Sequence, residues 1–138
     1  MATIVVQTEI KATIEKVWEV ISDIDNEPEF WKGTKKVKTL SVEGDIIKRE
    51  ITIAFRDQKC LQEIQLKPKK EIKAKFTKGI LEGTKIITLT PKNDKVIMET
   101  SWEIKLSGMM NMFTSMIKNH IKSGTEQAMK SIKKEIEK

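Results

Sequence analysis

The sequence predicts an α+β fold in which a curved antiparallel sheet of seven strands closes around one long C-terminal helix. Three observations carry this expectation. Apolar residues recur at every second position from about residue 35 to residue 106. Short turn signals interrupt that stretch, at spacings that suit antiparallel hairpins and not parallel crossovers. After Ser107 and Gly108 the period changes to three and four and holds to the end of the chain. The length of 138 residues predicts a single domain over 1–138, since a domain usually takes roughly 100–200.

Residues 3–10 read as the first strand, with Ile4, Val6, Thr8 and Ile10 on one side. Thr13 offers its hydroxyl as the N-cap of a short helix over 14–22, in which Val17, Trp18 and Ile21 fall at helical spacing. Asn26-Glu27-Pro28 starts a second short helix, with proline early, where its missing N–H costs little. Six further strands are expected over about 35–42, 46–55, 58–66, 70–77, 84–90 and 95–106. Glu43-Gly44-Asp45, Arg56-Asp57, Pro68-Lys69, Gly79 with Gly83, and Pro91 to Asp94 mark the turns between them. The last strand is the clearest: Val96, Met98, Thr100, Trp102, Ile104 and Leu106 share one face, and that face is buried. In the final segment Met110, Phe113, Ile117, Ile121, Gly124, Ala128 and Ile132 form a continuous apolar stripe. A helix of about 28 residues there would reach about 40 Å, enough to cross the whole sheet. The order β-α-α-β-β-β-β-β-β-α, with the last helix covering the apolar face of the sheet, is a helix-grip arrangement.

Composition narrows the function classes. The net charge of +6 rests on lysine, with Arg49 and Arg56 the only arginines. Phosphate and base recognition leans on arginine's bidentate fork, so a nucleic-acid partner is disfavoured. The run Lys67, Lys69, Lys70, Lys73, Lys75 and Lys78 reads mainly as the wet face of a strand, because Ile72, Ala74 and Phe76 alternate with it. Peripheral contact with an anionic membrane is the second reading of those lysines. One cysteine, Cys60, and one histidine, His120, cannot build a zinc site of the usual kind, and no cofactor is expected. The opening Met1 to Val6 lacks the marks of a signal peptide, and the longest uncharged stretch, Leu106 to Ile117, falls short of the roughly 20 residues that span a bilayer. A cytoplasmic location is expected.

Four segments carry a family likeness: Ile10 to Trp18, Ile21-Ser22-Asp23 through Phe30-Trp31, Val37 to Gly44, and Gly124 to Met129 followed by Ile132-Lys133. With this element order they resemble the START-like superfamily (also called SRPBCC or birch-pollen-allergen-like), nearest its polyketide cyclase/dehydrase and coenzyme Q-binding branches. The resemblance implies a cavity between sheet and C-terminal helix that takes a small hydrophobic molecule such as a lipid, quinone or polyketide. Binding or transport of such a ligand is therefore the expected function. The alternatives are a cyclase- or dehydratase-type enzyme, or a ribosome-, chaperone- or membrane-associated interaction module.

The residues expected around the ligand come from the inward registers. Met109, Met110, Met112 and Met116, with Phe113 among them, form a flexible, polarisable cluster that reads equally as pocket wall or core, with a dimer contact as a third reading. Trp31 and Trp102 are candidate walls, although large rings also dominate ordinary cores. Ile51, Ile64, Ala74, Phe76 and Met98 share the apolar faces of their strands. Arg49, Gln62 and Thr100 are polar residues in those same registers, and a ligand oxygen would satisfy them. The competing reading is a β-bulge near 48–50 that returns Arg49 to water, or a structural hydrogen bond. His120 stands one turn beyond Met116 as a further lining residue. No partner for a catalytic triad is evident.

Overall fold

The period-two segments do form one sheet. The computed structural model describes residues 1–138 and contains strands β1 (Ala2–Ile10), β2 (Thr34–Glu43), β3 (Ile46–Ile53), β4 (Lys59–Lys67), β5 (Glu71–Lys78), β6 (Leu81–Lys92) and β7 (Lys95–Leu106), with helices α1 (Ile14–Ile21) and α2 (Thr114–Ile136). The strand order is β1-β7-β6-β5-β4-β3-β2, and every pairing is antiparallel. This is the α+β helix-grip architecture. No helix is long and apolar enough to cross a membrane.

Strand alternation sets the inner face as expected, because successive Cβ atoms point to opposite sides. All six even-numbered residues from Val96 to Leu106 are buried, while Lys73 and Lys75 of β5 are exposed. The Thr13 hydroxyl accepts a hydrogen bond from the Lys16 N–H at 3.2 Å and caps α1. Between α1 and β2 the chain makes a 3-10 segment, Ile24–Glu29, with Pro28 inside it.

Three boundaries differ from the sequence expectation. β3 stops at Ile53, because Arg56 and Asp57 adopt positive φ in a tight turn. β6 begins at Leu81, so Gly83 belongs to the strand and not to the preceding turn. A Cβ on Gly83 would lie 1.9 Å from the Glu103 carbonyl oxygen of β7, so only glycine permits this close pairing. The last helix is shorter than expected: Gly108–Phe113 is a 3-10 segment, and α2 proper has 23 residues.

Ala128, Met129, Ile132 and Ile136 of the C-terminal half of α2 are buried, and the helix packs chiefly on β1, with α1 beside it. The N-terminal half carries Ile121 and Gly124, which are only partly buried. Thr100, beneath this layer, is fully buried and its hydroxyl finds no partner. An orphaned buried hydroxyl costs about 1–3 kcal/mol. Thr100→Val, which keeps the shape, is expected to raise stability by about 1 kcal/mol. The check is an upward shift of the urea midpoint at constant m-value.

Candidate functional site

Between the N-terminal half of α2 and the sheet lies a cavity of about 330 Å³. Ile51, Gln62, Phe76, Lys85 and Trp102 rise into it from five neighbouring positions on β3 to β7. Ile117, Ile121, Gly124 and Thr125 of α2 roof it, and Glu27 and Trp31 close one side. Gly33, Ala54 and His120 also line it and are exposed, which places the opening among them.

Aromatic rings shape the inner wall. Phe76 stacks on Trp102 with centroids 6.2 Å apart, and Trp31 meets Trp102 edge-on at 6.4 Å. The Trp102 indole N–H donates to the Thr125 hydroxyl at 3.1 Å, and that hydroxyl donates to the Ile121 carbonyl at 2.7 Å. This relay ties the sheet to the roof helix and satisfies both buried polar groups.

A charged cluster occupies the same interior. Arg49 is 1% exposed. It donates from Nε to Gln62 Oε1 at 2.8 Å, from Nη1 to the Ile24 carbonyl at 3.1 Å, and from Nη2 to the Glu27 carboxylate. Lys85 is 6% exposed, with Nζ 3.8 Å from Glu27 Oε1. The same ammonium lies 3.2 Å from the centroid of the Trp31 ring and 5.2 Å from that of Trp102. Burial pulls the Lys85 pKa from 10.5 down to about 8; the Glu27 carboxylate opposes this and the Arg49 guanidinium adds to it. Burial likewise pushes the Cys60 thiol up, which keeps it protonated and unreactive.

Of the residues expected from the sequence, Trp31, Ile51, Gln62, Phe76, Trp102 and His120 meet around this cavity. Ile64, Ala74, Met98 and Thr100 face inward but pack into the core beside it. Arg49 also points inward. Its guanidinium is consumed by structural hydrogen bonds, and the local bulge falls on the partner strand, between Thr39 and Ser41 of β2. The methionine cluster is a correction. Met109 is 90% exposed and Met112 77%, and Met116 and Phe113 are exposed as well, while Met110 is partly buried against the core. The 3-10 segment winds at three residues per turn, which breaks the helical count by which Phe113 joined the apolar stripe.

Sequence reasoning missed Lys85 and Glu27. Lys85 shares its register with Ile87 and Leu89 inside the expected strand 84–90, so a charged residue in an apolar row was a usable signal. No local pattern marked Glu27, because both of its partners lie on distant strands.

A family model described as polyketide cyclase / dehydrase and lipid transport matches residues 1–137. The chain belongs to that family. A search of curated proteins finds no match to this member of the polyketide cyclase/dehydrase and lipid transport family. Among solved structures, a Thermus thermophilus protein superposes with a TM-score of 0.82 at 11% identity, covering 98% of this chain and 97% of that one. The Zhui aromatase/cyclase of a Streptomyces species gives 0.80 at 12% identity, covering 99% and 93%. A START superfamily protein from Mycobacterium smegmatis gives 0.78 at 13%, covering 98% and 97%. At these identities the likeness carries the fold alone.

Proposed function

We propose that residues 1–138 act as one domain that binds a small hydrophobic molecule in the cavity beneath α2 and carries it in the cytoplasm. The supporting observation is the cavity itself: about 330 Å³ left unfilled between an apolar sheet face and a helix, where interiors normally pack without voids of this size. Burial of an apolar ligand there would supply roughly 25 cal/mol per Å² removed from water. The family's lipid-transport description and the START likeness support the same reading.

Gly124 provides the test. It lines the cavity, and a Cβ built on it meets nothing within 4 Å. Replacing a helical glycine also gains about 1 kcal/mol of helix propensity. Gly124→Leu is therefore expected to fold at least as stably as the parent while filling the cavity, and to lose ligand uptake about tenfold or more. Native mass spectrometry of the purified chain, followed by solvent extraction, reads the co-purified molecule directly. Equal occupancy in parent and variant would remove the cavity from the binding role.

A second reading is a cyclase- or dehydratase-type enzyme, favoured by Lys85 and His120 on the cavity wall and by the family description. Turnover of a polyketide-like compound, lost in Lys85→Met or His120→Gln, would select it over the carrier.

A further inference from the structure

The charges enclosed beside the cavity do not cancel. Arg49 and Lys85 face a single carboxylate, Glu27, so with all three ionised one positive charge is left over. Arg49 has committed its guanidinium to Gln62, Ile24 and Glu27. Lys85 has not. Its ammonium brings three N–H donors, yet the Glu27 oxygen at 3.8 Å is beyond hydrogen-bond distance. The Trp31 and Trp102 rings stabilise the charge through their faces and leave the donors without an oxygen acceptor. A nearly buried cation with unspent donors thus lines a cavity whose wall is mostly apolar.

Building on the carrier reading, we infer that the ligand is an apolar monocarboxylate whose acid group accepts hydrogen bonds from Lys85 while its body lies along Phe76, Trp102, Ile117 and Ile121. A carboxylate brings one negative charge, which matches the one positive charge in excess. A phosphate monoester brings close to two at neutral pH and would leave the interior negative beside Glu27. An alcohol or ketone offers an acceptor but leaves the charge uncompensated. Size limits the body: at about 330 Å³ the cavity lies at the small end of ligand pockets, which suits a short acyl chain. The pH response follows from the groups facing Lys85, which are Glu27 from the 3-10 segment and Arg49 from β3, with His120 of α2 on the wall of the same cavity. Acid binding weakens as pH rises through about 8, where the free ammonium loses its proton.

Isothermal titration with decanoate and with 1-decanol, both below their aggregation limits, tests the assignment. The parent is expected to bind the acid about tenfold or more tightly than the alcohol, the increment of one charged hydrogen bond. That preference should vanish in Lys85→Met, persist in Lys85→Arg, and fade between pH 8 and pH 10 in the parent. Lys85→Met exchanges a buried cation for an apolar chain of similar reach, so the variant should remain folded. Equal binding of acid and alcohol by the parent, or a preference that survives in Lys85→Met, overturns the carboxylate assignment and leaves the carrier reading standing. Failure of the folded parent to bind either compound removes both.

Discussion

Glu27→Gln is expected to destabilise the fold by about 3–5 kcal/mol, the usual cost of removing one partner from a buried ion pair. Glu27 is the shared counter-ion of Arg49 and Lys85, and both of these are less than a tenth exposed. Glutamine keeps the shape and can still accept a hydrogen bond, so the loss isolates the charge. The two cations then respond differently. Lys85 can escape by shedding its proton, because its pKa already stands at about 8. Arg49 has no such route, since guanidinium stays protonated in proteins. Combining Glu27→Gln with Lys85→Met should therefore recover part of the loss, and a double-mutant cycle by urea denaturation measures the coupling. A single variant within about 0.5 kcal/mol of the parent, the range of ordinary surface changes, would show that the carboxylate does not hold this cluster together.

The second large effect is a rise of stability with alkalinity. The folded-state pKa of Lys85 lies at about 8 against 10.5 for the free side chain, with burial the main cause. Between those values the unfolded chain binds more protons than the folded one, so stability increases with pH. Below about pH 8 both states hold the proton and the full cost of burying the ammonium is present; above about 10.5 both have lost it and the cost is gone. At 1.36 kcal/mol per pKa unit the span is on the order of 3 kcal/mol. Other lysines titrate over part of this range, so the comparison is with Lys85→Met, which shares them all. Urea midpoints at pH 7.5, 9 and 10 should show the parent gaining on the variant. A constant difference across that series would mean that the folded state does not desolvate this amine.

Much of the fold was legible because strand geometry is simple. A side chain two positions along points the same way, so the alternation of β7 from Val96 to Leu106 fixed its buried face, and Ile72, Ala74 and Phe76 turned the lysines of β5 to water. The cap at Thr13 was legible for the same local reason. The ends of elements were harder. Gly83 looked like a turn residue, and only its distance from the Glu103 carbonyl explains why a strand runs through it. Lys85 was missed for another reason: it lay inside the expected strand 84–90 in register with Ile87 and Leu89, but the apolar Ile86 on the opposite face blurred the alternation. Among the methionines, apolar character suggested a wall, but Met109, Met112 and Met116 were never on the stripe that runs through Ile117, Gly124 and Ala128, and they stay outside.

The sequence by itself determined the element order, the inward faces of β1, β3, β4, β5 and β7 and the apolar stripe of α2, since each depends on residues a few positions apart. Tertiary structure alone decided that the C-terminal half of α2 packs down on β1 while Ile121 and Gly124 bound a cavity. It alone also brought Glu27, Arg49 and Lys85 together there. The physical reason is that a charge pair or a void is set by distances between segments far apart in the chain, whereas hydrophobic periodicity records only which side of its own element a residue occupies.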